Sequence, residues 1–184
     1  AVIVLYSLFF IPEQSSVKKN LVEENKIEQN TDTPSLYQKE TLVQISREDA
    51  LKDSKRIQFE NQSVVGSISL KGAAIDDLTF KNYKVSLESD KRVTLLGPRN
   101  IEEGYLIESG FVTTDKNIDI PNSDTIWTII GNNKLTEKSP IKLSWSNDQG
   151  ITFEKEISID DKFLFSIKQK VINSTDKKFD FYSY

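Results

Sequence analysis

The sequence predicts a mainly β fold of antiparallel strands, arranged as a sandwich or a barrel. From Ser54 onward apolar and polar residues alternate, which is the period of a strand with one buried and one solvent-facing side. Turn-forming residues interrupt these runs at short intervals, as in GNN at 131–133 and NDQG at 147–150. Several short strands at such spacing are typical of an all-β sandwich or barrel.

The first eleven residues (1–11) carry no charge and run into Pro12. As a helix they span about 16 Å, at about 1.5 Å per residue, whereas a bilayer core needs about 20 residues. They lack the basic region and the small-residue cleavage site of a signal peptide. A buried strand is one interpretation. The outer end of a transmembrane anchor helix at 1–12 accounts better for Phe9, Phe10 and the helix-ending proline. Because residue 1 is not methionine, we expect a fragment or a processed product.

Residues 13–53 are polar, mixed in charge and without a sustained apolar face, which predicts a flexible linker. Within this segment, SREDALKD at 46–53 predicts a short helix with Ser46 as its N-cap. Residues 54–184 follow as the β-rich region.

The first strands of this region are bounded by glycine and proline. SVVGSISLKGAAIDDLTFKNYK contains two alternating runs, one on each side of Gly72. RVTLLGP reads as a strand that ends in a Gly-Pro turn, and DTIWTIIGNNKL as a strand that ends at the GNN of 131–133.

The clearest pattern lies between residues 140 and 173, where three strands form an antiparallel meander with one solvent-exposed and one buried face. The apolar residues on alternate positions are Ile141, Leu143 and Trp145, then Ile151, Phe153, Ile157 and Ile159, then Phe163, Phe165, Ile167 and Val171. The polar residues opposite the middle set are Thr152, Glu154, Glu156 and Ser158. NDQG and DDK form the two turns. Alternation resumes at Phe179 and Phe181, so we expect a further strand there and a native chain that continues past Tyr184, because an apolar edge would otherwise be exposed.

Composition excludes several function classes. The 184 residues include 24 Lys and Arg against 28 Asp and Glu, and this mild acidity argues against nucleic acid as a partner. The absence of cysteine excludes disulfides, zinc–thiolate sites and thiol nucleophiles. The absence of histidine removes the commonest general base and the commonest metal ligand.

Acidic residues that are adjacent in sequence are the candidate catalytic groups, and the pairs are Asp76 with Asp77, Glu102 with Glu103, and Asp160 with Asp161. Each pair falls at a turn or a strand end, so we interpret them as solvated turn acids. Catalysis would need one buried acid with a raised pKa beside another. We therefore predict no catalytic residue and no cofactor.

The remaining motifs also favour structural roles. SNDQG and SIDDK lack the donor spacing and the closing Glu of a calcium loop, so we predict no metal site. Trp127 and Trp145 fall on the inward period, which favours core packing over a ligand groove. NST at 173–175 fits a glycosylation pattern but reads as a turn.

Several motifs occur in a fixed order over about seven-tenths of the chain, from residue 54 to 184. A Gly-x-x-Ile strand leads to Leu and Tyr, an LL turn follows, and Tyr105 to Gly110 form a Y-x-x-x-x-G segment. An L-x-W-x-N-x-x-G-x-x-F-x-K motif and a V-x-N motif then consist of Leu143, Trp145, Asn147, Gly150, Phe153 and Lys155, and of Val171 and Asn173. In this order the motifs resemble the N-terminal periplasmic domain of the YidC family of bacterial membrane protein insertases.

The resemblance implies an antiparallel β-supersandwich of the galactose mutarotase type, of which 54–184 would be the N-terminal part. It also implies that 1–12 is the end of a first transmembrane helix, with the β-domain in the periplasm of a multi-pass inner-membrane protein. The implied function is help with the insertion and folding of inner-membrane proteins, alone or with the Sec translocon, without enzymatic activity. The family's charged groove lies among later membrane helices, so no groove residue is assigned to this sequence.

The partners implied by the resemblance are nascent membrane proteins, the Sec translocon components SecYEG and SecDF, and the lipid bilayer through the N-terminal helix. Nucleic acid is not among them. The alternative is a periplasmic carbohydrate-binding or mutarotase-like β-sandwich protein, although sugar-epimerising relatives use histidine acids that this chain lacks. A third interpretation is an anchored envelope scaffold. Further apolar spans of about 20 residues beyond Tyr184 would favour the insertase.

Overall fold

A computed structural model of the chain describes residues 45–102 and 104–184. The predicted anchor at 1–12 and the linker up to residue 44 lie outside the described residues. In chain order the elements are the helix α1 (Arg47–Ala50) and the strands β1 (Arg56–Glu60), β2 (Val64–Ser69), β3 (Ile75–Lys84), β4 (Arg92–Leu96), β5 (Phe111–Thr113), β6 (Thr128–Ile130), β7 (Lys134–Leu135), β8 (Ile141–Ser146), β9 (Ile151–Ile159), β10 (Phe165–Asn173) and β11 (Phe181–Ser183).

The strands form three sheets. The first has the order β4-β3-β2-β1-β7, the second the order β10-β9-β8-β6, and the third pairs β11 with β5. All pairs are antiparallel except β1 with β7, which sequence alternation did not predict. The prediction of a mainly β, antiparallel fold is confirmed.

The hydrophobic core joins residues of the two larger sheets. It contains Ile57 and Phe59 of β1 together with Leu143 of β8 and Phe153 of β9. The rings of Phe59 and Phe165 meet edge to face with centroids 5.1 Å apart, so β1 of the first sheet contacts β10 of the second. This face-to-face arrangement is that of a β-sandwich.

The strand β9 shows the predicted alternation along its whole length, with every odd-numbered residue from Ile151 to Ile159 buried. Its pairing with β8 and β10 confirms the meander. Phe163 lies before β10 and is 46% exposed, so the inward run of that strand begins at Phe165.

Asx turns form at two of the predicted turn positions. At NDQG, the Asn147 carboxamide oxygen accepts hydrogen bonds from two later backbone N–H groups, and Gly150 has φ +82°, which glycine adopts without strain. At NST, the Asn173 carboxamide oxygen accepts from the backbone N–H and the hydroxyl of Thr175. The predicted turns are confirmed.

The helix α1 has the predicted N-cap, because the Ser46 hydroxyl accepts a hydrogen bond of 3.1 Å from the Asp49 backbone N–H. It lies inside the segment that the sequence assigns to a linker, yet Ala50 is buried and Arg47 forms an ion pair with Asp77 of β3. Residues 46–50 therefore pack on the first sheet. Within the described residues, no helix has the length and apolar character needed to cross a membrane.

Candidate functional site

The acid pair at the start of β3 is not solvated, so that prediction is wrong. The side chain of Asp76 is 12% exposed and forms an ion pair with Arg56 of β1, whose side chain is 8% exposed. Asp77 forms its ion pair with Arg47 of α1. The sequence placed these acids at a strand start, but it did not show which distant cations would cover them.

Ser67 of β2 links the two ion pairs. The Arg56 Nε donates to the Ser67 hydroxyl over 2.7 Å, and that hydroxyl donates to the Asp77 carboxylate over 2.6 Å. Burial raises the pKa of Asp76, and the Arg56 guanidinium opposes the increase. Because each carboxylate already accepts from a guanidinium, this cluster ties α1, β1, β2 and β3 together rather than presenting a free acid.

The other two acid pairs lie apart from this cluster in sequence. Glu102 is exposed in a turn, as predicted, and Glu103 is outside the described residues. The Asp160 carboxylate accepts 2.9 Å hydrogen bonds from the backbone N–H groups of Lys162 and Leu164, which makes it the cap of the β9–β10 turn. The turn role predicted for Asp160 is confirmed.

The least expected polar group in the core is Lys155, which occupies one of the inward positions of β9. It is only 1% exposed. Its Nζ donates to the backbone carbonyl of Ser109 and lies 4.9 Å from the ring centroid of Trp127. The ring face attracts the ammonium group because the π-system carries negative charge there. The sequence signals this burial by placing a lysine at a position where strand alternation predicts an apolar residue.

Burial lowers the pKa of Lys155 to about 8, and the Glu108 carboxylate opposes this decrease. The adjoining cavity measures about 10 Å³, the size of one water position. Its lining includes Glu108, Trp127, Lys155 and Tyr184. The cavity is too small for a sugar ring, so the Lys155 cluster is a polar anchor between β9 and the segment before β5.

An open cavity of about 320 Å³ lies along β10, between Ile167 and Val171 of that strand and Phe111 and Phe181 of the third sheet. Gln169 is its central polar group, and its Nε2 donates to the Gly110 carbonyl over 3.1 Å. Across residues 45–102 and 104–184, no three acidic side chains cluster as metal ligands would.

The two tryptophans differ in their surroundings. Trp127 is buried in the core, as predicted. Trp145 is half-buried and packs on Phe153, with ring centroids 5.9 Å apart. Both residues therefore contribute to packing.

Comparison with known proteins agrees with the motif resemblance. The family model described as the YidC periplasmic domain matches residues 56–184. A "Membrane protein insertase YidC" of Pelagibacter ubique is 66% identical over all 184 residues, which are 33% of that relative. The Brucella suis protein of the same name is 39% identical over 71% of this chain and 22% of its own length. The Mesorhizobium japonicum protein is 34% identical over 79% of this chain and 24% of its own.

This chain thus spans a third or less of the length of these relatives. The family model covers most of the chain, including all the strands of the three sheets. The chain therefore belongs to the YidC periplasmic domain family.

Proposed function

We propose that this chain is the accessory periplasmic domain of a membrane protein insertase, which helps inner-membrane proteins insert and fold. The family match over residues 56–184 carries the proposal, and relatives bearing the insertase name support it. An antiparallel sandwich with a tether predicted before it suits an accessory domain that lies beside the membrane.

In this proposal the whole protein spans the inner membrane several times, with residues 1–12 in the bilayer. Its clients are nascent membrane proteins, and it acts alone or with the Sec translocon components SecYEG and SecDF. The insertase lowers the cost of moving polar backbone groups into lipid, which is several kcal/mol for each unsatisfied group. The β-domain contributes by docking and positioning.

The proposal includes no catalytic reaction for this domain. Asp76 and Asp77 are engaged by two arginines, and Lys155 is enclosed beside a cavity of about 10 Å³. Neither arrangement combines a free acid or base with room for a substrate. These contacts favour the insertase proposal over a mutarotase-like enzyme.

Two experiments on the full-length protein test the proposal. Depleting it from cells is expected to reduce the insertion of a single-spanning membrane protein, measured by protease protection. Unchanged insertion would contradict the proposed activity. For the compartment, Asp148→Cys places a thiol in the exposed NDQG turn, in a parent without other cysteines. A membrane-impermeant maleimide should label it in intact spheroplasts, and labelling only after lysis would exclude a periplasmic domain.

A further inference from the structure

The hairpin between β3 and β4 carries an exposed apolar end. β2 pairs with β3 only as far as Phe80, so the last residues of β3 extend past that partner. Tyr83 is 54% exposed, Val85 is 59% exposed and Leu87 is fully exposed in the loop that follows. Among residues 45–102 and 104–184, no neighbour covers Leu87, so this side chain is available to an external apolar phase.

Aromatic contacts connect this hairpin to the neighbouring β9–β10 turn. The Phe80 ring meets the Tyr83 ring at 5.4 Å and the Phe163 ring at 5.7 Å, both edge to face. We name the exposed surface formed by Tyr83, Val85, Leu87 and Phe163 the apolar tip.

The β9–β10 turn is held in place by Asn61, which follows β1. The Asn61 Nδ2 donates to the backbone carbonyls of Asp160 and Lys162, each over 2.9 Å. Two partly buried hydrogen bonds therefore hold the Phe163 side of the apolar tip against Asn61, at the end of β1.

The β3–β4 side of the tip is net basic, whereas the Phe163 side is not. The segment 81–92 contains four basic and two acidic residues, a net charge of +2, while Asp160 and Asp161 outnumber Lys162 in the turn before Phe163. Lys81 and Lys84 have acidic partners, but Lys91 and Arg92 have no ion pair within the described part of the chain. These two cations thus lie beside the apolar loop without an acidic partner among the described residues.

We propose that the apolar tip docks on an anionic lipid bilayer, with Val85 and Leu87 among the headgroups and Lys91 and Arg92 at lipid phosphates. Aromatic and aliphatic side chains with a basic flank are the composition that binds membrane interfaces, and anionic leaflets attract such cations. The inference rests on the proposed function, which places the domain beside a membrane. Its test uses pure lipid, so it can fail independently of insertase activity.

The chain has no cysteine, so a single thiol can report which end faces the lipid. Leu87→Cys marks the tip. Tyr105→Cys is the matched control, because Tyr105 is 67% exposed and pairs with Gly97, just beyond the far end of β4. Each variant of the full chain carries an NBD fluorophore and is mixed with phosphatidylglycerol–phosphatidylcholine vesicles. Comparing the two labels cancels any vesicle binding by residues 1–11.

The proposal predicts a blue shift and a several-fold rise in emission from the label at 87, with quenching by doxyl lipids, and little change at 105. Lys91→Glu with Arg92→Glu should abolish the response at 87, whereas Lys177→Glu with Lys178→Glu should retain it. An equal response at both labels, or one that survives charge reversal at 91 and 92, would overturn the proposal. If the tip instead binds a protein, the emission of neither label should change on addition of vesicles. That result would overturn the proposal as well.

Discussion

Replacing Lys155 by methionine should change how the stability of this domain depends on pH. The lysine pKa is 10.5 in its ordinary environment and falls to about 8 in the core, because burial penalises the charged form. Below pH 8 the ammonium is charged in both states, so the folded state bears the full penalty. Between pH 8 and 10.5 the unfolded chain binds more protons than the folded one, and stability therefore rises with pH.

The size of this effect follows from the two pKa values. Each tenfold change in proton affinity corresponds to about 1.4 kcal/mol, so the fall from 10.5 to about 8 is worth about 3 kcal/mol. The ring of Trp127 at 4.9 Å and the Ser109 carbonyl both stabilise the ammonium, which makes this figure an upper bound. Lys155→Met removes the titrating group and fills a similar volume.

Urea unfolding of the two proteins, followed by tryptophan fluorescence, measures the effect. The free energy of unfolding of the parent chain should rise relative to that of Lys155→Met by up to about 3 kcal/mol between pH 7 and 10.5. Titration of tyrosines and other lysines occurs in both proteins and cancels. Lys168→Met is the matched control, because it removes a lysine from the exposed side of β10. A pH-independent difference for Lys155→Met would refute the reasoning.

Three further substitutions, one of them with a matched control, test the packing of the domain by urea unfolding. Asp76→Asn leaves the buried Arg56 without its anionic partner, so the free energy of unfolding should fall by about 3–5 kcal/mol. A fall of less than about 1 kcal/mol would contradict a buried ion pair. Gly66→Ala brings a Cβ to 1.9 Å from the Asp77 carbonyl oxygen and should lower the free energy of unfolding by at least about 3 kcal/mol. In the control Gly131→Ala, the added Cβ meets no atom within 4 Å, so the loss should be about 1 kcal/mol, from the positive φ alone. Equal costs for the two alanines would argue against the close approach of β2 and β3. Phe153→Ala removes the ring at the centre of an aromatic cluster and should lower the free energy of unfolding by about 3–5 kcal/mol. A smaller loss would indicate that neighbouring side chains move to fill the cavity.

Strand period and turn chemistry predicted much of this fold because both are local properties of the sequence. The alternation from Ile151 to Ile159 fixed which side of β9 is buried. The short helix after Ser46 and the turns at Asn147 and Asn173 follow from side-chain oxygens that bond to nearby backbone N–H groups. These features need no knowledge of distant parts of the chain.

The predictions that failed, or were not made, depend on contacts between distant residues. Asp76 was expected to be solvated, but a strand from another part of the chain brings Arg56 against it. The burial of Lys155 depends on Trp127 and Ser109, which come from outside its own meander. Sequence alternation also gives no register for the parallel pair β1–β7, because the strands β2 to β6 separate its two members along the chain.

Reconstitution tests the central claim most directly. The full-length protein that contains this domain is incorporated into liposomes, and a single-spanning membrane protein is synthesised in their presence. The account predicts that the new protein becomes inserted, as shown by a membrane-protected fragment after protease treatment, and that empty liposomes give far less of it. Equal protection in liposomes with and without the full-length protein would contradict the assignment of this chain to an insertase.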